Sequence, residues 1–130
     1  MGFEQYHEPA GELPEQTRTF ARLCASLTEE AEAIGWYEQR LALEPDDGAR
    51  AIMRDAQGEE FKHFSMGLEF LLRRTPLWRE IAEGILFKEG DIVEQGEEAE
   101  EEAVEGAAAR GAPVVGSASL GIGSLRENQA

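Results

Sequence analysis

The chain has 130 residues, of which 27 are acidic and 12 are basic, so its formal net charge is −15 at pH 7. A chain of this length forms one small domain at most, and a surface this acidic argues against nucleic acid and anionic membrane as partners. The single cysteine, Cys24, excludes an internal disulfide, and no N-terminal secretory signal or membrane-spanning apolar run is visible, so a cytoplasmic location is expected.

Residues 1–13 contain helix-breaking residues and are predicted to be irregular. Pro14 suits the first turn of a helix, which we expect to end near Leu43. Within this first helix, residues recur at alternating spacings of three and four, which places them on one face. That face is apolar except at Glu30, and its other members are Phe20, Leu23, Leu27, Ile34, Tyr37 and Leu41.

A second helix is predicted after the turn of residues 44–48, with Asp46 or Asp47 as its cap and Arg74 near its end. The same spacing recurs in this helix, and its face is interrupted by Glu60 and His63. The remaining members of that face are Met53, Ala56, Gly67 and Phe70. The two helices are therefore expected to form an antiparallel hairpin.

A short third helix is predicted to open at Thr75-Pro76 and to end near Lys88 and Gly90. Residues 91–116 are dominated by glutamate, alanine and glycine, a composition that predicts a disordered acidic linker. Residues 117–130 form a separate tail in which a few apolar residues alternate with small ones. The expected fold is all-α, with a helical domain at residues 1–90 and a disordered C-terminal tail.

Glu30, Glu60 and His63 are the residues expected to bind a metal. In an antiparallel hairpin, Glu30 and Glu60 lie at equal distances from the turn and so meet at the same height. Carboxylates and an imidazole in a buried seam are costly unless something pairs with them, and a metal ion is a suitable partner. The alternatives are a core histidine that hydrogen-bonds one of the glutamates and a solvated boundary carboxylate. The Glu-x-x-His spacing alone is weak evidence, because Glu4 and His7 share it.

The ligand set amounts to half of a known arrangement. Carboxylate-bridged di-iron bundles use four helices, of which two supply a glutamate and two supply Glu-x-x-His. This chain has only two long helices, so two copies related by a two-fold axis would complete both the four-helix bundle and a di-iron centre at the dimer interface. The donor types suit Fe, Mn or Zn. Tyr37, on the same face, is either a hydrogen-bond partner of a ligand or a core tyrosine.

Several segments resemble the encapsulated ferritins. Residues 29–40 are similar to the first-helix signature of that family, and residues 60–63 with 66–74 are similar to its second. Residues 86–90 also match. The tail is similar to the cargo-loading peptide that directs proteins into encapsulin nanocompartments, and the residues that carry this similarity are Ser119, Leu120, Gly121, Ile122, Gly123, Ser124, Leu125 and Arg126.

The resemblance implies an iron-storage function as a ferroxidase, which oxidises Fe(II) to Fe(III). It implies an open ring of dimers, typically a decamer, that serves as cargo of an encapsulin shell in which the mineral is stored. Glu30, Glu60 and His63 match the iron ligands of the family. Glu29 and Glu32 match carboxylates of an outer metal-uptake site, and Trp36 matches a residue beside it.

Two other functions are compatible with the same residues. The first is a non-catalytic iron-binding cargo protein, in which the metal only joins the two chains. The second is a rubrerythrin-like di-iron peroxidase, although the sequence lacks the cysteine pairs of a rubredoxin-type electron donor. Stopped-flow measurement of Fe(II) oxidation distinguishes the ferroxidase from the first, and peroxide consumption with an external reductant tests the second.

Overall fold

A computed structural model of the chain describes residues 5–111, and all the regular structure in that range is helical. The chain divides into two compact units between Arg74 and Thr75, a boundary that lies inside the helical domain expected at residues 1–90. Within residues 5–111, none of the helices combines the length and the apolar composition that a membrane span requires. The elements are a short 3-10 turn (Ala10–Glu12), α1 (Glu15–Leu43), α2 (Asp47–Arg74), α3 (Pro76–Glu83) and α4 (Ile92–Ala109).

The turn between α1 and α2 is held by local hydrogen bonds. Asp46 caps α2, as predicted, because its Oδ1 accepts the backbone N–H of Ala49 at 2.8 Å. The guanidinium of Arg50 donates to the carbonyl oxygens of Leu41 and Glu44, which have no partner within α1. A three-residue connection stabilised in this way reverses the chain and sets the register of the hairpin.

The contacts between α1 and α2 confirm the predicted antiparallel pairing. The amide of Gln57, which is buried, donates to the backbone oxygen of Ile34 at 3.2 Å and to Oε1 of Glu38 at 3.0 Å. Further along α2, Gly67 lies against Leu27 and Leu23. Positions later in α2 therefore meet positions earlier in α1, and the short turn brings the middles of the two helices together.

Helix α3 begins after Thr75 as predicted but ends at Glu83, earlier than the apolar pattern suggested. The chain turns after Gly84, and Phe87 adopts a left-handed backbone conformation with φ of 62°. A Cβ atom on Gly84 would lie 2.5 Å from Cβ of Ala99 in α4. The absence of a side chain at Gly84 is therefore what permits α3 and α4 to approach so closely.

The prediction of a disordered linker at residues 91–116 is wrong for Ile92–Ala109, which forms α4. Oδ1 of Asp91 accepts the backbone N–H of Glu94 at 2.9 Å and caps the helix. Ala99, Ala103 and Ala107 are buried at a spacing of four, so the helix has a narrow apolar stripe within its acidic sequence. The average composition of residues 91–116 predicted disorder because it does not reflect the four-residue spacing of these alanines. Residues 112–116 lie outside the described range.

Candidate metal site

The structure brings Glu30, Glu60 and His63 together in the middle of the hairpin. Glu30 projects from α1, and Glu60 and His63 project from consecutive turns of α2. Each residue offers one ligand atom, and these atoms all lie within 4.8 Å of one another. The Nδ1 atom of His63 lies 3.9 Å from Oε2 of Glu60, which leaves room for an ion between them. Two carboxylates and one imidazole thus converge without a hydrogen bond among them in the described structure.

The close approach of the two helices beside the site depends on Gly67. A Cβ atom at this position would lie 3.0 Å from Cδ2 of Leu27 and 3.8 Å from Cδ1 of Leu23. Gly67 follows His63 by one helical turn on the same face of α2. Because any larger side chain would press on α1 there, Gly67 helps to hold the two carboxylate-bearing helices within reach of each other.

The carboxylate of Glu30 is the electrostatic centre of the cluster. Its Oε2 is buried and has no hydrogen-bond partner among the described residues. Burial raises the pKa of Glu30 above its ordinary value, the charge of Glu60 raises it further, and His63 partly opposes the shift. An unpaired buried acceptor beside a second carboxylate is a destabilising arrangement that a cation would relieve. The donor set and this unpaired oxygen both fit a metal such as iron.

The site opens onto a groove along one side of the hairpin. The groove has a volume of roughly 300 Å³. The side chain of His63, which lines the groove, is 42% exposed, and that of Glu60 is 25% exposed. Three protein ligands would leave coordination positions free on an ion bound here, and the groove gives access to Glu30 and His63. It is lined by Glu30 and His63 together with Leu23, Ser26, Met66, Gly67 and Phe70.

Sequence reasoning did not identify Glu59, which lies on the other side of His63. Its Oε2 lies 3.9 Å from Nε2 of His63 and 2.6 Å from Nζ of Lys62. The hydrogen bond and charge of Lys62 lower the pKa of Glu59. The two nitrogens of the imidazole thus face different carboxylates, Glu60 and Glu59. The spacing of Glu59 and His63, four residues apart on one helix, was the available signal.

The residues expected at an outer site do not join the cluster. Glu29, Glu32 and Trp36 are exposed on α1, and Trp36 is 52% exposed. Tyr37 is half-buried, and its ring lies 5.2 Å from the guanidinium carbon of Arg40. The described contacts include no hydrogen bond between Tyr37 and the cluster. The predicted targeting residues of the tail, Ser119–Arg126, lie outside the described residues.

Comparison with known proteins identifies the family. The family model described as EncFtn-like matches residues 5–89, which include both helices of the hairpin and all three clustered residues. The chain belongs to the EncFtn-like family. This EncFtn-like chain is all-α over its described range, in agreement with the ferritin-like fold expected from the sequence.

Two relatives of this EncFtn-like chain extend the similarity. An "Encapsulated ferritin-like protein" from Rhodospirillum rubrum is 42% identical over 123 residues, covering 92% of this chain and 86% of the relative. A "Ferritin-like protein" from Thermotoga maritima is 42% identical over 95 residues, covering 73% of this chain and 83% of the relative. A crystal structure of a protein from Nitrosomonas europaea matches with a TM-score of 0.66 at 35% identity, covering 68% of this chain and 98% of that one.

Proposed function

We propose that this EncFtn-like protein is a ferroxidase that oxidises Fe(II) to Fe(III) at a di-iron centre shared between two chains. The observation that supports this most is the convergence of Glu30, Glu60 and His63 around an unpaired, buried carboxylate oxygen. The names of the relatives, ferritin-like and encapsulated ferritin-like, point to iron as the metal.

The need for a second chain follows from the ligand count. One hairpin supplies two carboxylates and one imidazole, which is half of the set found in di-iron bundles. Two grooves facing each other across a two-fold axis would supply both halves and would cover the apolar side chains of Met66 and Phe70. The assembly of such dimers into a decameric ring remains an expectation from the family resemblance.

Iron is the substrate in this proposal, and the side chains set its binding and redox preference. The anionic oxygens of Glu30 and Glu60 attract Fe(III) more strongly than Fe(II), because the interaction grows with ionic charge. His63 contributes a neutral nitrogen and so adds affinity without adding charge. Two metal ions held close together provide the two electrons that reduce dioxygen to the level of peroxide.

The exposed carboxylates of α1 are proposed to deliver iron to this centre. Glu29 and Glu32 lie on the solvent side of α1 with Trp36. A locally negative surface raises the concentration of cations near it and increases their association rate. Loss of Glu29 or Glu32 should therefore slow iron uptake while leaving the centre itself able to bind metal.

The tail is proposed to direct the protein into an encapsulin shell. This proposal is supported by the similarity of residues 119–126 to a cargo-loading peptide and by the name of the Rhodospirillum rubrum relative, an encapsulated ferritin-like protein. The shell would then be the compartment that holds the mineral, and the protein would act inside it, in the cytoplasm. Extended peptides of this kind bind by placing a few apolar side chains in shallow pockets.

Stopped-flow measurement of Fe(II) oxidation tests the proposed activity. Glu30→Ala, Glu60→Ala and His63→Ala should each abolish fast oxidation, since each removes a ligand from both halves of the shared site. Asp55→Asn is the matched control, because Asp55 is an exposed carboxylate of α2 outside the cluster. Wild-type rates in all three cluster variants would refute the proposal, and metal binding without fast oxidation in the wild type would identify a non-catalytic cargo protein.

A further inference from the structure

Met66 carries a thioether in the groove that contains the candidate metal site. The residue is 57% exposed in the single chain, and in the pair of chains proposed above it would be enclosed together with the site. It lines the same groove as Glu30 and His63. Its flexible thioether is also one of the few side chains in this chain that peroxide oxidises under mild conditions.

The position of Met66 on α2 places its sulfur close to the site. Met66 follows His63 by three residues, so the two side chains are neighbours on the helix surface with an axial separation of about 4.5 Å. Met53 lies ten residues before His63, about 15 Å away along the same helix, and is half-buried. Met53 is therefore a natural internal reference for the reactivity of Met66.

The cysteine of the chain is a weaker target. Cys24 is half-buried on α1 and does not line the groove. Burial raises the pKa of its thiol, so the reactive thiolate is scarce at neutral pH. Among the sulfur-containing side chains of the described residues, Met66 is the one that lines the groove of the cluster.

We propose that Met66 is a site of oxidative modification, converted to the sulfoxide by hydrogen peroxide formed during iron oxidation in its own groove. This inference rests on the proposed ferroxidase function, which supplies the peroxide. Dioxygen takes up two electrons, one from each of two Fe(II) ions, and two protons to give hydrogen peroxide. A lone pair of the Met66 sulfur attacks one peroxide oxygen, an S–O bond forms, the O–O bond breaks, and the other oxygen leaves as water after proton transfer.

The modification changes the chemistry of the groove. A sulfoxide is polar and accepts hydrogen bonds, whereas the thioether beside Phe70 and Leu23 is apolar. Covering this face with a second chain would then require burial of an additional polar oxygen, which is unfavourable without a partner. Oxidation of Met66 should therefore weaken the pairing of two hairpins across the groove, while consuming one peroxide molecule per residue.

Peptide mass spectrometry after aerobic addition of Fe(II) tests the inference. Catalase is included to destroy peroxide that escapes into solution, and the rate of iron oxidation is recorded in the same samples. We expect several-fold more sulfoxide at Met66 than at Met53 in the wild type. That excess should disappear in His63→Ala and in Glu60→Gln, which lack the complete cluster. A metal-free sample treated with hydrogen peroxide alone, without catalase, gives the intrinsic reactivity of both methionines.

The outcomes separate the inference from the function on which it rests. Rapid iron oxidation with equal sulfoxide at Met66 and Met53 would overturn the inference and leave the ferroxidase proposal intact. An excess at Met66 that persists in both cluster variants would also overturn it, because the oxidant would not come from the site. Absence of rapid iron oxidation in the wild type would overturn both.

Discussion

Replacing Glu30 with glutamine should stabilise the metal-free protein and abolish its stabilisation by metal. The substitution keeps the shape of the side chain but removes a charge whose Oε2 is buried without a partner. It also gives the side chain a donor within reach of Glu60, whose ligand atom lies within 4.8 Å. A purely structural glutamate would show the opposite effect, because its loss would remove a favourable interaction.

The expected size follows from the groups involved. Two unit charges at the largest separation of 4.8 Å repel by about 1 kcal/mol at the dielectric constant of water, and by about 3.5 kcal/mol at the lower effective value near a protein surface. An unsatisfied buried acceptor costs about 1 kcal/mol or more. Since Glu60 is partly exposed, we expect the lower of these energies, a gain in unfolding free energy of about 1 kcal/mol. For a unit as small as the hairpin this corresponds to a rise in Tm of about 4–8 °C.

The pH dependence of this gain has a defined sign. The pKa of Glu30 is raised above its ordinary value of 4.5, so the folded state binds the proton more tightly than the unfolded state. The resulting stabilisation is fully present below the ordinary value and is lost as pH rises through the folded-state pKa. The advantage of Glu30→Gln over the wild type should therefore be largest near neutral pH and should shrink in acid.

Urea denaturation in the presence of a chelator measures the metal-free stability, and thermal shift with Zn(II) measures the stabilisation by metal. At a metal concentration of 100 times Kd, binding stabilises the wild type by about 2.7 kcal/mol, and Glu30→Gln should lose this gain. Asp55→Asn, which removes the same charge from an exposed position of α2, should leave both quantities nearly unchanged. A Glu30→Gln protein that is less stable than the wild type in chelator, or equally stabilised by metal, would refute the reasoning.

Two further predictions concern α4 and the tail. Gly84→Ala should lower the free energy of unfolding by about 1–3 kcal/mol and increase amide exchange in Ile92–Ala109, because the added Cβ would lie 2.5 Å from Cβ of Ala99. Gly58→Ala, which has no neighbour within 4 Å, should instead stabilise its helix by up to about 1 kcal/mol. Equal effects of the two substitutions would contradict this packing. Deletion of residues 117–130 should preserve Fe(II) oxidation and eliminate co-purification with a co-expressed encapsulin, and retained encapsulation would contradict the targeting role.

The hairpin could be predicted from the sequence because its signals are local. The helix ends are indicated by residue types that favour such positions, namely Pro14, Asp46 and Arg74. The spacing of the apolar residues then determines which faces of the two helices meet. The proximity of Glu30 and Glu60 could be predicted because, in a hairpin with a short turn, residues at equal distances from the turn lie at the same height. The four-residue spacing of Glu59 and His63 was the local signal for Glu59, but Glu69 and Arg73 share that spacing on the same helix, so it did not distinguish Glu59.

The second unit could not be predicted in the same way. The buried stripe of Ala99, Ala103 and Ala107 is favourable only because Gly84 allows α3 to lie against it. Alanine buries little area by itself, so the sequence of α4 taken alone favours disorder. The ion pair between Arg110 and Glu80, at 2.6 Å, also joins residues whose proximity depends on the same packing. The order of α4 thus depends on its contact with α3, and the sequence of neither helix alone predicts that contact.

Native mass spectrometry with Zn(II), a redox-inactive probe, tests most directly whether the metal site is shared between two chains. The account predicts that metal increases the population of paired chains, with two zinc ions held at the shared site in each pair, and that a chelator reverses the pairing. In Glu60→Gln, this metal-dependent pairing should be lost, although zinc at outer carboxylates can remain. Zinc bound by the cluster of single chains, or an oligomeric state unaffected by zinc and chelator, would contradict the account.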